Sequence, residues 1–286
     1  MTSPCELQLY CNDEHKSRAI AKKVMIMAKE LENKYNFYNP DSYLSKLNQR
    51  KTDVLDAQSK DLLTRAKLFY NKTHKIFDIT MGTLTQSRKL ESVEKIEEEI
   101  KRLKPFLGVE HFKIKKNRLI FDNPHTLIDF GGFVKEFAVD QAVKILKKEK
   151  IASALLNFGG DIYALGLKPN GEKFSIGIKN PLKPSEYLTS VKLSNQALTT
   201  SASYERNHKV EEKNYSHIIS TSTLQDKVLS ATVVASSVLE AGVFSTALMI
   251  EPELETELEK LLILKGENTL HLLNPNNMPN KLRPVV

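Results

Sequence analysis

The sequence predicts a mixed helix-and-strand fold, not an ordered series of βαβ units. Segments with apolar residues at helical spacing alternate irregularly with short runs of strand type. No long linker, low-complexity tract or fixed-period repeat interrupts them. The 286 residues therefore read as one domain over residues 1–286, long enough for a sizeable core.

The elements follow in chain order. Residues 6–10 (ELQLY) alternate like a strand. Residues 17–35 carry Ile20, Val24, Met27, Ala28 and Leu31 on one helical stripe. Pro40 and Asp41 mark a turn, and a short helical turn follows. Residues 57–74 form a second amphipathic helix, with Leu62, Leu63, Ala66, Phe69 and Tyr70 on one side. After FDIT (77–80) and MGTLTQ comes a charged helix over residues 91–103. Residues 113–122 read as a hairpin around a KKN turn, and residues 126–130 as an apolar strand feeding a helix over 133–148. Strands are expected at 153–158, 162–167, 173–179, 189–193, 198–201, 215–220 and 228–234. A largely apolar helix spans 235–250. Pro252 suits the first position of a helix over 252–264, and a last strand covers 269–273.

Composition narrows the function classes. The chain is 41% hydrophobic and 27% charged, and 42 basic against 35 acidic residues leave a net charge of +7. Lysine dominates and is scattered. The runs KIKK (113–116) and KKEK (147–150) fall at element ends, where solvated faces are usual. No basic stripe is interleaved with aromatics and Trp is absent, so no nucleic-acid partner is expected; an anionic small ligand fits the excess. No apolar run approaches the ~18 residues of a membrane span. No basic start leads into an apolar core, so no signal peptide is visible and a cytoplasmic location is the expectation. Cys5 and Cys11 suggest neither a disulfide framework nor a zinc site.

Four stretches could carry chemistry. The first is IDFGGFVKEFAVDQAVKIL (128–146). Glycines at a strand-to-helix turn let a ligand approach the backbone, and free N–H groups at the helix start favour an anion. Lys135 is misplaced for the helix dipole, so it suits a phosphate or carboxylate, while Asp129 could accept hydrogen bonds from a ring N–H or a ribose hydroxyl. The competing reading is a turn chosen for close packing with an exposed lysine. The second stretch is NFGGDIYALG (157–166), a Gly-Gly-Asp turn in most settings. The third is LTTSASYERN (198–207), followed by YSHII (215–219) with His217 in an expected strand, where a lone His is more often structural although the residue type is the usual proton acceptor near pH 7. The fourth is the apolar helix with Ser245 and Thr246, whose hydroxyls would ordinarily bond back to helix carbonyls.

Together the order and spacing of these motifs resemble the ApbE family of FAD:protein FMN transferases. MTSPCELQLY is similar to the family's opening strand, YNPDSYLSKLN to its tyrosine-plus-Asp-Ser-x-Leu segment, and FDITMGTL to its FD-[IV]-T-x-G-x-L turn. The resemblance runs from residue 1 to about 250. It implies an α+β fold, with antiparallel or mixed sheets flanked by helices in a T-fold-related architecture. It implies cleavage of FAD, transfer of FMN through its phosphate to a Thr or Ser of an acceptor flavoprotein, and release of AMP, with Mg²⁺ bridging the pyrophosphate. FAD contacts would come from Met1 (or Thr2), Tyr38, Asp129, Lys135 and Ile218 or Ile219. The metal would meet the carbonyl of Gly132 and helix positions Gly242, Ser245 and Thr246, and His217 would be the base. Many members of the family are exported lipoproteins.

The chain also departs from the pattern. The metal helix usually reads A-D-x-x-[AD]-T, whereas here Gly242 replaces the Asp and Ser245 stands where some members carry a second Asp. The usual K-G-Y-A is Lys135-Glu136-Phe137-Ala138, and the usual S-G-[DN]-Y-E is Ser201-Ala202-Ser203-Tyr204-Glu205. The usual I-D-P-x-T-G is Ile219-Ser220-Thr221-Ser222-Thr223-Leu224. A neutral Ser/Thr pair binds Mg²⁺ weakly, and Glu240 points to another helix face than Gly242. The alternative reading is a paralogue that binds FAD, as a carrier or partner-binding module, without transferring it.

Overall fold

A computed structural model describes residues 3–85, 92–183, 185–202, 207–210, 213–216, 228–265 and 270–273. The chain begins with β1 (Cys5–Leu9), α1 (Glu14–Lys34), α2 (Tyr43–Asn48), α3 (Ala57–Lys72), α4 (Gly82–Thr85) and α5 (Val93–Leu103). Then come β2 (Phe112–Lys115), β3 (Arg118–Phe121), α6 (Val134–Lys148), β4 (Ala154–Phe158) and β5 (Asp161–Leu165). Next are β6 (Phe174–Lys179), β7 (Tyr187–Leu193), β8 (Gln196–Ala202), β9 (Asn207–Val210) and β10 (Lys213–Ser216). Last are β11 (Val228–Ala235), α7 (Val238–Ile250), β12 (Glu259–Lys265) and β13 (Leu270–Leu273).

These elements fall into two compact units. The first draws on Met1–Glu32, Phe133–Glu205 and Ser220–Val286, the second on Asn33–Gly132 and Arg206–Ile219.

The first unit is built on a seven-stranded antiparallel sheet in the order β1-β4-β5-β8-β11-β12-β13. Successive side chains of a strand point to opposite faces, and the two faces here have different partners. On one face Ala164, Leu198, Val234, Leu261 and Ile263 pack with Phe174, Ile176, Ile178, Val191 and Leu193 of the β6–β7 hairpin. On the other, Thr199 and Ser201 of β8 meet α7. That helix is apolar around most of its circumference because it is buried, with Val238, Leu239, Val243, Leu248 and Met249 all in the core.

One expected helix is a strand. Residues 252–264 show helical spacing, yet Glu259–Lys265 pairs with β11 from Val228↔Leu264 to Val234↔Glu259. Leu261, Leu262 and Ile263 are consecutive and all buried, which suits a strand covered on both faces. Pairing with β11 overrides the local spacing.

The second unit holds α2 to α5 and the small β2–β3 and β9–β10 ladders. Asp56 caps α3 by accepting from the Ser59 amide, as Ser42 caps α2 and Ser92 caps α5. Here too one expectation changes. Residues 126–130 make a single parallel bridge, Met81↔Leu127, not a strand ladder. Side chains and loop backbone satisfy this segment instead. Asn48 donates to the Ile128 carbonyl at 2.8 Å and accepts from its amide at 2.9 Å. Thr83 Oγ1 accepts from the Leu127 amide, Arg50 donates to the Thr126 carbonyl, and the Asp129 amide donates to the Ile79 carbonyl. Extended backbone is stable here because almost every polar group finds a non-ladder partner.

Candidate functional site

The polar centre of the first unit forms where α6 starts, beside β5 and α7. Lys135, in the first turn of α6, makes an ion pair with Asp161, the first residue of β5. Both are largely buried. The Gly159–Gly160 turn before Asp161 is held by the Asn157 side chain, which accepts from the Gly160 amide, and by the Pro4 carbonyl, which accepts from the Gly159 amide.

Glu136 is the next residue, only 7% exposed; its Oε2 finds no donor among the described residues and has the Asp161 carboxyl as a neighbour. Burial and the neighbouring Asp161 charge push its carboxyl up to about 8, and the Lys135 charge only partly offsets this. The Glu136 stem lies against Gly242 of α7. A Cβ on Gly242 would stand 2.6 Å from Glu136 Cγ and 3.4 Å from its carboxyl carbon. No side chain fits between the two helices at that point.

Below Gly242, one turn along α7, a hydroxyl cluster links helix and sheet. Ser245, fully buried, donates to the Gly242 carbonyl at 3.1 Å and lies 2.9 Å from Ser201 Oγ. Ser201 Oγ is also 3.3 Å from Thr246 Oγ1, and Thr199 donates to Ser245. The start of α7 is pinned by α6, because Asp140 accepts from the Val238 and Leu239 amides with its two oxygens. A carboxylate at a helix N-terminus satisfies orphan donors and complements the helix dipole. The positions of Gly242, Ser245 and Thr246 are thereby tied to those of Lys135 and Glu136.

The second unit presents the other expected site residues. Asp129 Oδ1 accepts from the Gly131 amide at 2.8 Å. Gly82, from the MGTL motif, lets α4 approach this segment: a Cβ there would sit 2.9 Å from the Leu127 carbonyl oxygen and 3.0 Å from Asp129 Cβ. At Gly132 a Cβ would meet nothing within 4 Å. Tyr38 is 72% exposed, its ring edge-on to Phe37 at 5.5 Å. Upstream, Asp78 is gripped by Thr80, whose hydroxyl also accepts from the Gly108 amide. Burial raises the Asp78 carboxyl despite those bonds.

The structure thus brings Lys135, Gly242, Ser245 and Thr246 into one unit, together with Ser201 of the TTSAS stretch. Met1, His217, Ile218 and Ile219 lie outside the described residues. Among the described residues no group of three or more His, Cys, Asp or Glu could hold a metal ion. Two participants had only a weak signal in the sequence. Asp161 reads as part of an ordinary Gly-Gly-Asp turn, and Glu136 as one more departure from a pattern. A buried acid opening a strand, and an acid directly after a first-turn lysine, were the available signs.

The model of the ApbE family matches residues 1–262. The chain belongs to the ApbE family. Among its relatives is the FAD:protein FMN transferase of Vibrio cholerae serotype O1, 26% identical over 258 residues, covering 83% of this chain and 75% of the relative. The Chlamydia pneumoniae protein of the same name is 30% identical over 234 residues, covering 75% of this chain and 71% of its own. Among solved structures, the ApbE protein of Thermotoga maritima superposes with a TM-score of 0.83 at 22% identity, covering 95% of this chain and 93% of that one. The flavin transferase ApbE of Vibrio cholerae gives 0.77 at 20% identity, covering 96% and 94%. These likenesses establish an ApbE fold: helices with a largely antiparallel sheet. No helix among the described residues is long and apolar enough to cross a membrane.

Proposed function

We propose that this ApbE-family chain is a flavin transferase. It cleaves FAD and attaches FMN, through a phosphoester bond, to a Thr or Ser of an acceptor flavoprotein, releasing AMP. The observation that carries this reading is the family match along residues 1–262, beside relatives named for that activity. The acceptor hydroxyl oxygen forms a bond to the FMN phosphorus as the bond to the AMP phosphate breaks. The hydroxyl proton passes to a base, for which His217 is the candidate.

The chain's own groups suit this chemistry, which depends on positioning and charge neutralisation more than on covalent help. Lys135 offers a cation at a helix start for a phosphate. Asp161 holds that ammonium in place. Tyr38 offers an exposed ring face for stacking, and Asp129 an acceptor for a ring N–H or ribose hydroxyl. Met1, Ile218 and Ile219 complete the candidate FAD contacts. A buried carboxyl lying against Gly242, on the helix that also carries the Ser245 and Thr246 hydroxyls, offers hard oxygens that suit a divalent cation such as Mg²⁺. Candidate holders are the Gly132 carbonyl and α7 near Gly242, Ser245 and Thr246. When bound, the ion would neutralise pyrophosphate charge.

Gly242, in place of the family's Asp, favours a second reading: an FAD-binding protein that transfers nothing. The two are separated by incubating the protein with FAD, with and without Mg²⁺, beside a peptide carrying a Thr/Ser flavinylation-type site. AMP release together with covalent flavin on the peptide is the expected result. FAD binding with neither product would replace the transferase by the binding protein.

A further inference from the structure

We propose that Glu136 supplies the carboxylate ligand of the divalent cation, reaching from α6 into the space that Gly242 leaves open on α7. The inference rests on the flavin-transferase reading for its metal.

Three observations converge. The first is steric. A side chain at position 242 is excluded by Glu136 itself, whose Cγ, carboxyl carbon and Cβ lie 2.6, 3.4 and 3.6 Å from where a Cβ would be. The place on α7 from which a carboxylate would project is filled by another carboxylate's stem.

The second is an unmet valence. Glu136 is buried and its Oε2 finds no donor among the described residues, its polar neighbour being a second carboxyl group, Asp161. Buried carboxylate oxygens are costly without a donor or a cation. Lys135, which is paired with Asp161, offsets this demand only in part. A hard divalent ion would satisfy the orphaned oxygen, and Mg²⁺ sites typically use one or two carboxylates completed by phosphate and water.

The third is the pairing of two departures from the family pattern. Glycine is usual at 136 and aspartate at 242; here the residues are Glu136 and Gly242. Each change alone looks damaging. Taken together they conserve one carboxylate and one glycine across the same helix–helix contact. The longer glutamate spans the gap from α6. Ser245 and Thr246, one turn from Gly242, keep their hydroxyls on the same helix face.

The test measures metal binding directly. Mn²⁺ is titrated into the full chain and followed by the electron paramagnetic resonance of the free ion, once alone and once with saturating FAD. FAD affinity without metal is measured separately by flavin fluorescence. Glu136→Gln should weaken Mn²⁺ binding by at least about tenfold, with metal-free FAD affinity within about threefold of the parent. The double exchange Glu136→Gly with Gly242→Asp should bring Mn²⁺ affinity back to within about threefold. Gly242→Asp alone should not tighten it.

Unchanged Mn²⁺ affinity in Glu136→Gln overturns the assignment and leaves the flavin reading standing. Absent FAD binding overturns the flavin reading, while the titration with Mn²⁺ alone still decides the role of Glu136. Should Glu136→Gln not fold, the double exchange decides: metal retained supports the relocation, metal lost in a folded protein refutes it.

Discussion

The contact between Glu136 and Gly242 makes a stability prediction that needs neither metal nor flavin. Ordinarily Gly→Ala in a helix interior gains about 1 kcal/mol. At position 242 the new Cβ would stand 2.6 Å from Glu136 Cγ, in the middle of a buried side chain, not at its flexible tip. Overpacking of this kind costs about 1–3 kcal/mol. Gly242→Ala should therefore destabilise the protein by up to about 2 kcal/mol, against the helix-propensity trend. In a Glu136→Ala background the obstruction is gone, and the same substitution should stabilise by about 1 kcal/mol. The sign reverses, and the coupling between the two sites amounts to about 1–3 kcal/mol. Urea unfolding of the four proteins, followed by circular dichroism in EDTA without flavin, measures it. EDTA removes any stabilisation by bound metal. Additivity within about 0.5 kcal/mol would refute the reasoning, because it would mean that Glu136 does not occupy the space beside Gly242.

Two further outcomes follow from the second unit. Asn48→Ala removes the side chain that pairs with both the amide and the carbonyl of Ile128. Two buried backbone groups are stranded, so unfolding should need about 2–4 kcal/mol less; a loss under about 0.5 kcal/mol in urea titration would show that other groups hold this segment. Asp56 gives a pH dependence. Burial raises its carboxyl, but hydrogen bonds from Lys34 and Ser59 outweigh this and leave it below the ordinary value. A depressed carboxyl contributes stability above its unfolded pKa of about 3.9 and loses it as pH falls through the lower folded value. Asp56→Asn keeps an N-cap acceptor for the Ser59 amide. It should be less stable than the parent at pH 7, with the gap closing as pH falls below the unfolded value and through the depressed folded one; a gap that widens in acid contradicts the ion pair's role.

Much of the architecture was legible because local signals agreed with the final fold. The spacing of Leu62, Leu63, Ala66 and Phe69 marks α3, and the same residues are buried in it. The apolar run before Gly159 is β4, at the centre of three paired strands. Motif order, with its Gly-Gly turn, FDITMGTL and the apolar Ser/Thr helix, carries the resemblance to the ApbE family that the family match over residues 1–262 bears out. Sequence pattern works in these places because burial of one face imposes a period that survives in the residues themselves.

Where partners far away in sequence decide, the local pattern misleads or is silent. Leu254, Leu258, Leu261 and Leu262 are spaced like a helix, but antiparallel pairing with β11 makes 259–265 a strand. Residues 126–130 look like a strand, yet their hydrogen bonds go to Asn48, Thr83 and Arg50. The sharpest case is the candidate metal site. The sequence alone determined that an aspartate is missing at 242 and that an extra glutamate stands at 136. Only the tertiary structure decided that these are the two sides of one contact, because α6 and α7 are joined across about a hundred residues by the Asp140 cap and packed until no Cβ fits between them. Exclusion of a side chain is a property of space between helices, and no spacing along one chain segment encodes it.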